Sequence, residues 1–307
     1  MSDDPHGIAA APPVAGPRAA VIGWPVSHSR SPLIHGHWLQ RYGLPGSYGR
    51  LALEPERADA FFADFAASGL SGANVTVPHK EAAARACAEL DPMAATLGAA
   101  NTLWLEDGRL HGANTDIVGF LANLDQEAPG WDRSAGPAVV IGAGGAARAV
   151  VHGLASRGFA PVHVVNRTLE RAEAVATLAR APGGTVVGRA HGFAELPGLL
   201  GTAGVVVNTT SLGMAGSPPL DIDLAPVPEG TLVTDIVYVP LETPFLAAAR
   251  RRGLPTVDGL GMLLHQAVPG FERWFGRRPA VDADLRAVVL ETLPPEAFIK
   301  AEETARR

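Results

Sequence analysis

The sequence predicts an α/β protein in two parts, the second a parallel sheet wrapped by helices. Three observations predict it. The chain has 307 residues, enough for about two domains that each bury a core. Short β-branched runs alternate with helix-length segments along most of it, the rhythm of strand–helix–strand units. In AVVIGAGGAARAV (138–150) a strand runs directly into a turn of small residues and then into a helix.

Taken in order, AAVIG (19–23) reads as a strand and the segment from Pro32 to Tyr42 as a helix. Ser31 stands before Pro32; a serine can cap free N–H groups, and a proline has none to leave unpaired. YGRLAL (48–53) is the next strand, ERADAFFADFAA (56–67) an amphipathic helix ended by Gly69, and ANVTV (73–77) a third strand before the helix EAAARACAEL (81–90). NTLWLEDGRLHG (101–112) reads as a hairpin turning at Asp107-Gly108. A Pro/Gly-containing loop (127–137) leads to a second series, with strands at AVVIG (138–142), VHVVN (162–166), TVV (185–187), GVVVN (204–208), LVTDIV (232–237) and PTVDG (255–259). Helices GMLLHQAVPGFERWFG (261–276) and ADLRAVVLETL (283–293) close the chain before KAEETARR.

Composition excludes several function classes. Net charge is −6 and the sequence pI is about 5.9, so there is no basic footprint for nucleic acid or an anionic membrane. No run of about 18 apolar residues free of charge occurs, so no membrane span is expected. The single cysteine, Cys87, has no internal disulfide partner and reads as a small buried hydrophobe in a helix, in keeping with a reducing cytoplasm. Residues 1–17 are acidic and then Ala/Pro-rich, without the basic start and apolar stretch of a secretory signal, and are expected to form a loose tail. His28, His35, His79 and His265 fit no zinc spacing, so no metal site is expected. Ser27, Ser29 and Ser31 lack the GxSxG setting of a hydrolase nucleophile.

The turn after AVVI carries Gly142, Gly144, Gly145 and Ala147 in GxGxxA spacing. Small residues there permit a tight turn and close backbone approach, and the helix N-terminus behind them faces a pyrophosphate. In NAD-binding chains an acidic residue about 20 positions on takes the ribose hydroxyl. The strand VHVV ends instead in Asn166-Arg167-Thr168. A guanidinium suits a 2′-phosphate, which indicates NADP.

Of 25 basic residues only Lys80 and Lys300 are lysine. Lysine, unlike arginine, gives up its proton when burial lowers its pKa, so Lys80 is a candidate acid/base. Asp116 in GANTDIVGF is a candidate carboxylate partner; a helix N-cap is the competing reading. Five of the six asparagines (Asn74, Asn101, Asn114, Asn166 and Asn208) sit in short polar motifs. That placement suits local turns or recognition of a polyhydroxylated substrate.

With these motifs in place the chain resembles the shikimate dehydrogenase family. The resemblance covers nearly everything after the tail, in the ordered series GWPVSHSRSPLIH, GANVTVPHK, NTL, GANTDIVGF, GAGGAAR, NRT, NTTSLGM, DIVYVPLETPFL and DGLGMLLHQAVPGFERW. Departures are Trp24 and Gly36, each where Asn is common, and Ile117 and Val118, where Gly is frequent. The resemblance implies an N-terminal α/β substrate domain, residues 18–115 with 264–307, and a Rossmann-like doubly wound parallel-sheet NADP domain, residues 116–263, with a cleft between them. It implies that Ser29 and Ser31, helped by Tyr238, bind the substrate carboxylate, and that Asn74, Thr76, Asn101 and Gln266 contact ring hydroxyls. Lys80 and Asp116 match the family's catalytic pair. Gly142, Ala143, Gly144, Gly145, Ala146, Asn166, Arg167 and Thr168 match its NADP site, with Ile236 and Gly259 close to the nicotinamide. The implied activity is reversible, NADPH-dependent reduction of 3-dehydroshikimate to shikimate, a step toward chorismate and the aromatic amino acids, by a cytoplasmic monomer or homodimer. The alternatives are a quinate/shikimate dehydrogenase using NAD, an enzyme for an amino analogue, and a non-catalytic shikimate-binding sensor.

Overall fold

Wholly buried four-residue strands organise both halves of the chain. The computed structural model describes residues 15–133 and 135–298. Its strands are β1 (Arg18–Gly23), β2 (Ser47–Ala52), β3 (Gly72–Val75), β4 (Glu89–Leu90), β5 (Thr102–Glu106), β6 (Arg109–Ala113), β7 (Ala138–Ile141), β8 (Val162–Val165), β9 (Gly188–His191), β10 (Val205–Asn208), β11 (Leu232–Asp235) and β12 (Thr256–Val257). Its α-helices are α1 (Ser31–Tyr42), α2 (Ala58–Ala63), α3 (Lys80–Ala86), α4 (Pro92–Leu97), α5 (Asp116–Glu127), α6 (Gly145–Ser156), α7 (Leu169–Ala176), α8 (Leu196–Leu200), α9 (Pro244–Arg251), α10 (Leu260–Phe275) and α11 (Ala283–Leu290). The chain divides into two units: Met1–Thr115 with Gln266–Val289, and Asp116–His265 with Leu290–Arg307.

The first unit is built on a mixed sheet in the order β2-β1-β3-β5-β6-β4. β1 runs parallel to both β2 and β3, and β5 and β6 form an antiparallel hairpin. The hairpin turns at Asp107 (φ 51°) and Gly108 (φ 73°), the left-handed pair that a two-residue turn requires. Ala20, Ile22, Phe61, Phe62, Phe65 and Leu103 form a core with α2 and α3. Elsewhere in the unit His35, Trp38, Phe271 and Trp274 pack as a buried aromatic cluster joining α1 and α10. The Trp274 indole donates to the Leu103 carbonyl (2.9 Å). A Cβ on Gly72 would collide with that indole nitrogen and that carbonyl, which is why a glycine stands there.

The second unit holds an all-parallel sheet in the order β12-β11-β10-β7-β8-β9. Strand order therefore reverses between β7 and β10, the switch point outside which doubly wound sheets bind ligands. Its four central strands are buried at every residue, as expected with helices on both faces.

Several local expectations are corrected. Ser31 is the first residue of α1 and caps nothing with its side chain; Ser29 Oγ accepts from its N–H (3.3 Å). The segment 56–67 is interrupted at Asp64, with a 3₁₀ turn on each side of α2. α3 stops at Ala86 because Glu89 and Leu90 pair with β6 as an edge strand, so Cys87 is extended rather than helical; burial pushes its thiol up to about 12. The strand expected at 185–187 forms instead at Gly188–His191. Gly188 lies so close to the Ala176 carbonyl that no Cβ fits, and Val186 makes only an isolated bridge with Arg180. The closing segment is expected with the first domain to residue 307; of its described part, residues 290–298 group with the second unit, where Leu241 N–H donates to the Ala297 carbonyl (3.0 Å). Of the expected tail, residues 1–14 lie outside the described residues, as does KAEETARR.

Substituting Gly72→Ala should destabilise the protein by about 1–3 kcal/mol or more, because backbone and indole must both move. Urea unfolding followed by fluorescence checks this as a lower midpoint at unchanged slope.

Candidate active site

In the first unit the expected substrate residues fall into two hydrogen-bonded groups, a serine pair and a set built around Asn74 and Asn101. Ser29 Oγ lies 3.3 Å from Ser31 Oγ. The Tyr48 hydroxyl donates to Asn74 Oδ1 (2.6 Å), and Asn74 Nδ2 donates to the Asn101 carbonyl (3.3 Å) and to Thr102 Oγ1 (3.4 Å). Asn101 Oδ1 receives the Thr115 N–H (2.8 Å) and lies 3.1 Å from the hydroxyls of Thr102 and Thr115. The Thr115 hydroxyl also reaches the Gln266 carbonyl (2.8 Å), which fixes where α10 delivers the Gln266 side chain. Asn74 and Asn101 are buried on neighbouring antiparallel elements, with Asn74 opposite Thr102. Thr76 follows β3, its N–H bonded to the Ile22 carbonyl (2.9 Å).

Lys80 is the first residue of α3 and half-buried. Its carbonyl accepts the Ala100 N–H (2.9 Å), which brings its backbone beside Asn101. The neighbouring His79 is buried and held through Nε2 to the Leu53 carbonyl (2.7 Å). A cation in the first turn of a helix sits on the unfavourable end of its dipole, so helix stability does not account for a lysine here. Trp24, whose N–H donates to the Val77 carbonyl (3.1 Å), is largely exposed, and nothing in the structure explains its choice.

In the second unit Asp116 is the first residue of α5 and half-buried. β7 ends at Ile141 and is followed by Gly142, whose φ of 108° favours glycine and on which an added Cβ would meet Thr209 Oγ1 at 2.7 Å. Ala143 is half-buried, and the exposed Gly144 sits extended at the N-cap of α6 without any side-chain cap bond. An added Cβ on Gly144 or Gly145 would meet nothing within 4 Å. The turn thus presents backbone and helix N–H groups with room in front of them, and it fits a pyrophosphate; Ala146 lies in the first turn of the same helix.

Asn166 anchors the next loop, with its N–H on the His191 carbonyl (3.1 Å) and its amide on the Thr168 carbonyl (2.9 Å). Arg167 and Thr168 are exposed, and Arg167 makes no ion pair among the described residues. An exposed guanidinium there fits a 2′-phosphate.

Ile236 and Gly259 are brought together: a Cβ on Gly259 would collide with the Ile236 carbonyl, and the Ile236 N–H is bonded to the Asn208 carbonyl (3.1 Å) at the end of β10. Tyr238 lies in the same loop, half-buried. The buried Asp235 organises this end of the sheet. It accepts from Asn208 Nδ2 (3.0 Å), Val237 N–H (3.0 Å) and the Thr243 hydroxyl (2.8 Å). Burial raises its pKa to about 6, and the three hydrogen bonds oppose that rise.

Sequence reasoning missed Tyr48, Thr102, Thr115 and Asp235. Thr102 and Thr115 carried a signal, since each directly follows an asparagine in a motif. Tyr48 carried none, because its partner is 26 residues away.

Comparison with known proteins adds relatives to this geometry. Residues 21–103 match the shikimate dehydrogenase substrate binding domain, residues 128–214 the shikimate / quinate 5-dehydrogenase family, and residues 259–289 the shikimate 5′-dehydrogenase C-terminal domain. Shikimate dehydrogenase (NADP(+)) of Azorhizobium caulinodans is 59% identical over 284 residues, covering 92% of this chain and 99% of that protein. The same enzyme of Brucella canis is 57% identical over 278 residues, 90% of this chain and 94% of that protein. Among solved structures, quinate dehydrogenase from Corynebacterium glutamicum in complex with NAD superposes with a TM-score of 0.82 at 29% identity, covering 90% of this chain and 99% of that one. Shikimate 5-dehydrogenase from Thermus thermophilus in complex with NADP(H) and shikimate does so with 0.77 at 35% identity, covering 90% and 100%.

The Asp235 environment generates a pH prediction. Its carboxyl binds a proton more tightly folded (about 6) than unfolded (3.8). The stability it contributes is therefore complete below about pH 4 and is lost as pH rises to about 6, by about 3 kcal/mol. Denaturation midpoints across that window should fall less steeply in Asp235→Asn than in the parent protein.

Proposed function

The chain belongs to the shikimate dehydrogenase family, and we propose that it interconverts 3-dehydroshikimate and shikimate through Lys80 as the acid/base, with NADP as its cofactor. One observation carries the assignment of residues. The amides of Asn74 and Asn101 share one hydrogen-bonded network through Thr102 next to the lysine whose backbone Ala100 holds, and the hydroxyls of Ser29 and Ser31 pair with each other in the same unit. Such a set matches a small ring bearing a carboxylate and several hydroxyls better than any apolar or metal-bound ligand.

NADPH, when bound, supplies the hydride that reduces the ring ketone. Negative charge develops on the former carbonyl oxygen as it does so. Lys80 delivers a proton to that oxygen in reduction and removes one from the alcohol in oxidation. Asp116 is its proposed carboxylate partner, which orients the ammonium and balances its charge. Ser29 and Ser31, with Tyr238, bind the carboxylate of the substrate; Asn74, Thr76, Asn101 and Gln266 hold its ring hydroxyls, fixing the ketone for attack at one face. Gly142 to Ala146 carry the pyrophosphate, Asn166 to Thr168 the adenosine 2′-phosphate, and Ile236 and Gly259 border the nicotinamide. In this reading residues 18–115 with the helix from 264 serve the substrate and 116–263 the cofactor. We place the enzyme in the cytoplasm as a monomer or homodimer without a nucleic-acid partner. The net charge of −6, the lone Cys87 and the lack of any helix among the described residues long and apolar enough to cross a membrane support this.

Lys80→Ala should lower kcat by about two to four orders of magnitude with a smaller effect on KM. A steady-state assay with shikimate and NADP checks it, and an unchanged kcat with a raised KM would make Lys80 a binding residue instead. Arg167→Ala should raise KM for NADP by about 10- to 100-fold, the value of charge-assisted phosphate contacts, and leave KM for NAD nearly unchanged. Running the parent enzyme with shikimate and quinate against both cofactors separates this reading from a quinate dehydrogenase using NAD.

A further inference from the structure

We infer that Tyr48 is a positioning residue for the substrate: its hydroxyl fixes which end of the buried Asn74 amide meets a ring hydroxyl. The inference rests on the proposed role of Asn74. An amide has two donor hydrogens at one end and an acceptor oxygen at the other, so its orientation decides which substrate groups it can bind.

At Asn74 the neighbours settle that orientation. Nδ2 faces the Asn101 carbonyl (3.3 Å), a group that can only accept, and Thr102 Oγ1 (3.4 Å). Turning the amide over would set two carbonyl oxygens against each other. Oδ1 faces the Tyr48 hydroxyl at 2.6 Å, a short bond that occupies one of its two lone pairs. Both amide hydrogens are thereby directed into the protein, and what Asn74 offers a ligand is the second lone pair of Oδ1. Asn74 thus accepts a hydrogen bond from a substrate hydroxyl, and that hydroxyl keeps its own lone pairs for other donors.

Tyr48 can do this because its ring cannot turn away. It stacks face to face on His35, with centroids 3.9 Å apart and planes 6° apart, and lies 5.9 Å from Trp274. His35 is itself fully buried and set edge-on to Trp38 at 5.7 Å. The wall formed by α1 and α10 therefore aims one hydroxyl on β2 at one amide on β3. Burial holds the phenol well above its usual pKa, with Ser31 pulling the other way, so the donor hydrogen stays in place across the working pH range.

A double-substitution experiment tests this, with Tyr48→Phe and Asn74→Ala made singly and together. Tyr48→Phe keeps the ring stack and removes only the hydroxyl. It should raise KM for shikimate by about 5- to 20-fold, the cost of one buried hydrogen bond, with kcat less affected and KM for NADP unchanged. In the Asn74→Ala background the same change should alter KM for shikimate by less than about twofold, because its effect runs through Asn74. Tyr42→Phe, which removes the hydroxyl that accepts from Ala280 N–H, serves as a structural control and should leave KM for shikimate alone. An equal rise from Tyr48→Phe in both backgrounds, or no rise where Asn74→Ala does raise KM, overturns the positioning role and leaves the proposed function intact. No rise from Asn74→Ala itself removes Asn74 from the binding set, and this inference with it.

Discussion

Asn101 is the residue on which the substrate-binding unit depends, because strand pairing and site geometry meet in its hydrogen bonds. Its N–H bonds to the Ala113 carbonyl (2.9 Å) and its carbonyl to the Val75 N–H (2.8 Å), so it closes the ladders on both sides of β5. Its side-chain oxygen takes the Thr115 N–H (2.8 Å), and a threonine hydroxyl fills the second lone pair. The same amide that could contact a ligand thus holds β3, β6 and the chain at Thr115 in register. Buried polar groups must be satisfied or they cost stability. Here that requirement orders the site before any substrate arrives, which is the preorganisation that catalysis by positioning needs.

The two sheets reach their sites by different routes. In the second unit the topology marks the place: strand order reverses between β7 and β10, the point beyond whose carboxyl ends doubly wound sheets bind ligands, and Gly142 and Thr209, whose N–H bonds to the Ile141 carbonyl (2.8 Å), stand there. In the first unit no such topological accident exists. There a mixed sheet is covered by aromatic side chains from α1 and α10, and the site is a set of side chains whose partners were each chosen for hydrogen bonding.

That difference explains what could be read from the sequence. The nucleotide half was readable because fully buried parallel strands and a glycine turn are local patterns, visible in a window of a dozen residues. Its one misplaced strand, β9, failed because Gly188 starts it, and the reason for a glycine there, the close pass of the Ala176 carbonyl, is not local. In the substrate half the ANVT and NT motifs single out Asn74 and Asn101, and the structure buries both in hydrogen bonds. Tyr48 stayed invisible, since a tyrosine on an apparently ordinary strand gains its meaning from Asn74 on β3 and His35 on α1. Helix ends misled for a related reason: the apolar period through residues 81–90 favours a helix, and pairing of Glu89 and Leu90 with β6 overrode it.

The electrostatics of the binding network have a consequence for how the reaction responds to pH. The groups that orient Asn74 do not change charge under physiological conditions. Burial lowers to about 3 the pKa of His35, whose ring nitrogens make no hydrogen bond among the described residues, and the Tyr48 phenol is pushed far upward. The remaining members are amides, threonine hydroxyls and backbone, none of which titrates. The pattern of donors and acceptors around Asn74 is therefore constant with pH. In the proposed reading, neutral groups recognise the substrate, and the acid/base step is assigned to the titratable side chains of Lys80 and Asp116.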